Sequence, residues 1–290
     1  MHLRSLYDRK EPTISFEYFP PKSTEAEETL VRDTTPGLLK LNPAFISITY
    51  GAGGGTRDST LRIATRLRKE YGVEPLMHFT CVGSTTEQLS QYLDEARKMG
   101  LENVLALRGD PPKGQTSFQA TAGGFAYATD LIKFIKSRGD FCIAGACYPE
   151  GHVESRYKYD DWDHAAEKVK NGAEFLISQL FYDWSDYFDM VAYLKEKHGV
   201  DVPIIPGILP FQGTEQIKRF TSLCGAKLPQ PLRMKLEAHA ADEEAVRQIG
   251  VEVCTDLCRK LLDRGVPGFH FYCLNRVPSV TQIVRNLGLA

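Results

Sequence analysis

The side chains able to do chemistry cluster at the ends of short apolar runs. Glu17 lies between Phe16 and Tyr18, so strand alternation sets it with Ser15 on one face and the aromatics on the other. A carboxyl turned into an apolar interior loses water, its pKa is expected to rise, and it then suits a general acid near neutral pH. A structural carboxylate bonded to a neighbouring strand is the other reading. Arg108-Gly109-Asp110-Pro111-Pro112 follows the run NVLAL, so opposite charges leave a buried strand at a sharp turn where Gly109 admits close approach to a ligand. A salt-bridged loop would read the same way. Further polar residues end other runs: Thr49, then Tyr148, Glu150 and His152, then Gln179, Tyr182 and Asp183, and finally Tyr272, Asn275 and Arg276. Gln212, Gln216 and Phe220 follow a proline-bounded run. His78, alone on an apolar strand, reads as a core histidine, and Asp161 and Lys168 read as solvated charges on a helix face.

Several chemistries find no support. The glycine-rich stretch from Tyr50 to Thr56 lacks both the G-x-G-x-x-G spacing and a following Lys-Ser/Thr pair. H-E-x-x-H, G-x-S-x-G and grouped Cys/His ligands are missing, which argues against zinc hydrolysis and a serine nucleophile, and no metal is expected. Seven cysteines, an odd number without a C-x-x-C pair, read as reduced thiols of a cytoplasmic protein. Cys254 and Cys258 share a helical face and read as core packing. Thirty-five basic against 37 acidic side chains leave a net charge of -2, which lacks the electrostatic footprint of a dedicated nucleic-acid binder. The first residues contain no apolar signal-peptide core, and no stretch approaches the ~20 apolar residues of a membrane helix, so no membrane partner is expected.

The elements that must position these residues repeat. β-Branched or aromatic runs at Ser15–Phe19, Phe45–Tyr50, Pro75–Cys81, Asn103–Gly109, Cys142–Tyr148, Phe175–Tyr182, Val202–Leu209 and Gly268–Leu274 each precede a charged stretch of helical spacing. Their centres fall 27–39 residues apart except for the last gap of 65, which reads as a loop and short helix before a longer amphipathic helix. Helix starts are marked at Ser23, at Thr85 with Gln88 three residues on, at Asp183 and at Thr214. Alternating strands and helices predict parallel pairing, and eight units in series favour an α/β fold of the closed (β/α)8 TIM barrel type over an open sheet. The expected organisation is a single domain over 1–290, with an extra helical segment before the last strand. Polar residues at the C-terminal ends of the strands are then the candidate site.

The segments ISFEYFPPKS, FISITYGAGGGTRDST, MHFTC, LALRGDPP, GGFAYATDL, CYPEGH, ISQLFYD, PIIPGILP and GFHFYCLNR, in this order over almost the whole chain, resemble the methylenetetrahydrofolate reductases. The resemblance implies the same barrel as a single catalytic domain with no regulatory domain, FAD at its mouth, NADH or NADPH as electron donor, and ping-pong reduction of 5,10-methylenetetrahydrofolate to 5-methyltetrahydrofolate. It implies that Thr49, Tyr50, Ala52, His78, Arg108, Gly109, Asp110, Tyr127, Ala128, Tyr148, His152, Asp161 and Lys168 surround FAD, with Lys168 pairing with the pyrophosphate. Gln179, Gln216, Phe220, Tyr272 and Arg276 fall on folate positions, Glu17 on the general acid that protonates N10, and Asp110 on a residue shared between flavin and pterin. His164 and Glu167 stand where some bacterial members have Asn and Arg, and the loop from Pro111 to Tyr127 is longer. The expected partners are a folate and a nicotinamide nucleotide, with homo-oligomerisation left open. Rival readings are a pterin-binding methyltransferase barrel and a non-catalytic electron-transfer subunit.

Overall fold

The computed structural model describes residues 1–50, 57–110 and 118–290. Its strands are β1 Thr13–Tyr18, β2 Phe45–Ile48, β3 Pro75–Thr80, β4 Asn103–Leu107, β5 Cys142–Cys147, β6 Phe175–Ser178, β7 Ile204–Ile205, β8 Gly207–Ile208 and β9 Gly268–Phe271. All pairings are parallel, in the order β7-β6-β5-β4-β3-β2-β1-β9-β8. β7 and β8 are two halves of one expected run, interrupted by Pro206, which has no N–H to give to a ladder. One half pairs with β6 and the other with β9, so the broken strand is the seam that closes the barrel. The Pro206 carbonyl still accepts from His270 N, 3.0 Å away, which carries the ladder across the break. Nine strands thus fill the eight positions of a (β/α)8 barrel, and the open-sheet alternative is set aside.

Between strands the chain returns through helices. Helix α1 (Thr24–Thr29) runs through a π turn, Leu30–Thr34, into α2 (Thr35–Leu39). There follow α3 Arg57–Tyr71, α4 Thr86–Lys98, α5 Ala128–Ser137, α6 Lys158–Lys170, α7 Trp184–His198 and α8 Thr214–Cys224. The long last gap holds α9 Gln230–Ala238 and α10 Glu243–Leu262, as its composition suggests, and α11 Pro278–Asn286 ends the series. Ser23 accepts from Ala26 N, Thr85 and Gln88 form a reciprocal capping box, and Asp183 accepts from Ser185 N. Thr214 is a correction: Gly213 is the N-cap of α8 and Thr214 is its buried first residue.

Strand alternation divides the apolar residues into two cores. Phe16 and Tyr18 pack outward under the helices, where Cys254 and Cys258 are also fully buried. Phe45, Leu76, Leu105, Cys142, Phe175 and Ile205 fill the barrel interior together with Leu3 and Leu6 of an N-terminal 3-10 turn. Each such side chain contributes roughly 1.5–3 kcal/mol on burial. Asn103, at the start of β4, holds that plug by accepting from Leu3 N at 2.9 Å and donating to Met1 O at 3.0 Å.

The closing seam leaves no room for a side chain at Gly207. A Cβ there would lie 2.1 Å from Ser178 O and 2.6 Å from Tyr272 Oη. Gly207→Ala is expected to cost ~3 kcal/mol or more through forced overpacking, read as a fall in the urea midpoint.

Candidate active site

Toward the C-terminal ends of the strands the barrel interior turns polar. Glu17 on β1 is opposite Ser47 on β2, and both are buried. His78 Nε2 on β3 stands 3.2 Å from Glu17 Oε2, and His270 Nε2 on β9 stands 3.7 Å from it. Ser47 Oγ lies 3.1 Å from His270 Nε2 and 3.5 Å from Glu17 Oε2, while Ser15 Oγ lies 2.8 Å from His270 Nδ1. Ser15 Oγ also donates to Phe269 O at 3.1 Å.

The expected upward shift of the Glu17 pKa is corrected here. Burial does push this carboxyl up, but the imidazoles of His270 and His78 beside it outweigh burial and bring it down to about 2. Burial lowers the His270 imidazole, against the pull of Glu17. His78 is therefore no isolated core histidine but one wall of this cluster. His270, Ser15 and Ser47 complete it without having been singled out as site residues. Their signal was present, since His270 sits between Phe269 and Phe271 just as Glu17 sits between two aromatics.

A second cluster joins the loops after β4 and β5 to α6. Asp161 is buried and Lys168 half-buried, which corrects the reading of both as solvated charges. Lys168 Nζ donates to Ala146 O at 2.7 Å, and burial lowers its pKa against the attraction of Asp161. Burial raises the Asp161 carboxyl against Lys168 and His152, and its buried Oδ2 has no hydrogen-bond partner among the described residues. The rings of Tyr148 and His152 meet edge to face at 4.9 Å. Arg108 is held by both oxygens of Glu154 and stacks over Phe118 at 4.9 Å; the Glu154 bond raises its pKa. Glu154 N also donates to His152 Nδ1 at 3.1 Å. Gly109 has φ +88, and a Cβ there would come within 2.6 Å of Val82. Asp110 is exposed at the same turn, Tyr50 packs edge-on to Tyr92 at 5.7 Å, and Thr49 O accepts from Thr60 at 2.9 Å. Exposed Tyr127 caps α5 just before buried Ala128, whereas His164 and Glu167 pair with each other at 3.2 Å on the outside of α6. Ala52, Pro111 and Pro112 lie outside the described residues.

The remaining candidates surround the loops after β6, β8 and β9. Gln179 Oε1 accepts from Leu180 N and Gln216 Oε1 from Gln212 N, each at 2.8 Å. Tyr272 Oη donates to Ser178 O at 2.7 Å, so this hydroxyl bridges β9 to the residue before Gln179. Glu150 is turned away, accepting from Lys227 N at 2.9 Å and thereby holding the loop after α8. Phe220 is half-buried on α8 and Arg276 is exposed after β9.

A closed parallel barrel with a buried carboxylate and two histidines beneath its mouth can be compared with known proteins. The family profile Methylenetetrahydrofolate reductase matches residues 2–288. The chain belongs to the methylenetetrahydrofolate reductase family. It is 38% identical over 299 residues to methylenetetrahydrofolate reductase (NADH) 1 of Arabidopsis thaliana, covering 99% of this chain and 50% of that protein. It is 34% identical to the 5,10-methylenetetrahydrofolate reductase of Pectobacterium carotovorum, covering 95% of this chain and 90% of that one. The chain thus spans about half the length of the plant relatives and most of the bacterial one. Among solved structures, a Clostridium thermocellum protein described as binding two copies of 5-methyl-5,6,7,8-tetrahydrofolic acid superposes with TM-score 0.63 at 17% identity, over 99% of this chain and 96% of that one, a likeness of fold. Among the described residues no helix is long and apolar enough to cross a membrane.

The lowered Glu17 pKa links to stability with a definite sign. The carboxylate form is favoured in the fold, so its contribution is complete above the ordinary carboxylate range, near 4.5, and is lost as pH falls toward about 2. Across that interval the wild-type protein is expected to lose stability more steeply than Glu17→Gln. Urea titrations at stepped pH check this, and equal slopes would remove the ion-pair account.

Proposed function

We propose that residues 1–290 form one catalytic barrel that reduces 5,10-methylenetetrahydrofolate to 5-methyltetrahydrofolate, with FAD as cofactor and NADH as electron donor. The observation that carries this reading is the Glu17 carboxylate, buried at the barrel mouth of a chain in this family and held by His78 and His270. The names of the plant relatives, methylenetetrahydrofolate reductase (NADH), favour NADH over NADPH.

The residues present fit a flavin nucleotide. Buried Asp161 Oδ2 and Thr80 Oγ1, which have no hydrogen-bond partner among the described residues, leave polar atoms for a ligand to satisfy, and Gly109 offers bare backbone at the turn after β4. Arg108, His152 and Lys168 would hold its anionic part, the Lys168 ammonium keeping two protons free beyond its bond to Ala146. When bound, FAD supplies the two-electron carrier between the nicotinamide and the folate.

This chain's own groups do the rest. Asp110, exposed at the turn, would grip the amino-pyrimidine edge of the pterin by paired hydrogen bonds, and the Gln179 amide would complete that grip. Phe220 would stack on the aminobenzoate ring and Arg276 would meet the carboxylates beyond it. Glu17 Oε2 gives the proton to N10 that opens the methylene bridge. A carboxylate held so low takes that proton when the folate covers it, because excluding water raises a carboxyl, and the adjoining histidines are the groups that can pass it on.

The first experiment is an anaerobic visible spectrum of the FAD-saturated protein, with NADH added and then methylenetetrahydrofolate. Bleaching by NADH and return of the flavin bands with the folate are expected; failure to take up flavin would sink the reading in favour of the methyltransferase or subunit alternatives. Glu17→Gln should keep the bleaching step and slow the return by roughly 10²–10⁴-fold, the range for loss of a general acid. Asp110→Asn should impair the folate step more than the NADH step, and unchanged folate kinetics would remove Asp110 from the mechanism.

A further inference from the structure

Glu154 takes no part in the chemistry proposed above, yet it touches two of the residues that would hold the cofactor. It lies in the turn after β5 that Ser155 N closes by donating to His152 O at 2.9 Å. Its carboxylate takes the Arg108 guanidinium end-on, one oxygen on each terminal nitrogen, with Nη2 donating to Oε1 at 2.9 Å. Its backbone N–H donates to His152 Nδ1 at 3.1 Å. One residue thus joins the exit of β4 to the loop after β5.

Both contacts fix a donor. An imidazole nitrogen that accepts from a backbone N–H carries no proton, so His152 bears its hydrogen on Nε2, the donor left for a ligand. Burial, and then the Arg108 charge, lower the His152 pKa and keep the ring neutral. On the other side, an end-on carboxylate leaves the Nε edge of the guanidinium for a second anion. The Arg108 side chain makes no further hydrogen bond among the described residues, and Phe118 lies against its face at 4.9 Å. The Arg108 side chain is 22% exposed and that of Glu154 47%, so the carboxylate grips from the more solvated side. Exposed ion pairs are weak in general, but a bidentate arginine–carboxylate pair is the geometry in which they count.

We infer that Glu154 is a positioning residue of the cofactor site, holding Arg108 and His152 in the arrangement that receives the anionic part of a flavin nucleotide. The inference rests on the flavin reading above and adds to it a residue that acts through its neighbours. Groups ordered before the ligand arrives bind it more tightly, because less freedom is lost on binding.

The test is titration of the flavin-free full chain with FAD, followed by flavin fluorescence, in the wild type, Glu154→Gln, Arg108→Lys and the double variant. Glu154→Gln keeps the side-chain volume at a half-exposed site, so its urea midpoint should match the wild type. Arg108→Lys keeps the charge and loses the fork. Glu154→Gln is expected to weaken FAD binding roughly tenfold, the scale of one hydrogen bond to a charged group. In the Arg108→Lys background the same change should cost about twofold or less, because the pair it breaks is already gone. Unchanged affinity in Glu154→Gln, or the same tenfold loss in both backgrounds, overturns the inference. Tighter binding by Glu154→Gln also overturns it, since the carboxylate would then compete with the cofactor for Arg108. All three results leave the flavin reading intact, whereas a wild-type chain that takes up no FAD overturns both.

Discussion

Closure of the barrel at a broken strand is the constraint on which the rest depends. A parallel sheet left open would expose two edges; here β6 and β9 are joined through a run of four paired residues interrupted by one proline. Such a short seam tolerates nothing bulky, and Gly207 lets Tyr272 cross it to reach the Ser178 carbonyl. That bridge ties the last strand to the sixth beside Gln179. The same contact that completes the cylinder therefore fixes one side of its mouth.

Inside the cylinder, polarity changes along the strands. The apolar layer around Phe45, Leu76 and Phe175 excludes water from below, and the next positions carry Ser15, Glu17, Ser47, His78 and His270. A lone carboxylate at that depth would be costly, and it persists because each of its neighbours is a hydrogen-bonding or ionisable group. The cluster is thus a structural solution to burial next to the mouth. Its geometry rests on strand register, since Ser15 faces His270 and Glu17 faces Ser47 across β1.

Around the mouth, charges are arranged with unequal partners. Arg108 is engaged by Glu154, whereas Asp161 keeps one buried oxygen without a hydrogen bond among the described residues and Arg276 stands exposed. Groups that water satisfies in the free protein are the ones a ligand can recruit, because exchanging a weak exposed bond costs little. Half-buried Lys168, by contrast, is fixed by the backbone through Ala146 O.

The sequence by itself determined the fold class and most of the candidate positions. Eight runs at nearly constant spacing dictated the barrel, alternation around Glu17 dictated which way its carboxyl points, and the family motifs dictated the candidate contacts of Tyr148, His152 and Gln179. Local patterns carry such information because periodicity and alternation are properties of neighbouring residues. Tertiary structure alone decided the rest. Whether Lys168 and Asp161 are solvated depends on what covers α6, whether the seventh strand is whole depends on the ladder partners of Pro206, and the Glu17 pKa depends on histidines 61 and 253 residues away. An environment assembled from distant strands leaves no mark on local spacing, so desolvation read from the sequence pointed the pKa upward while the assembled site holds it low.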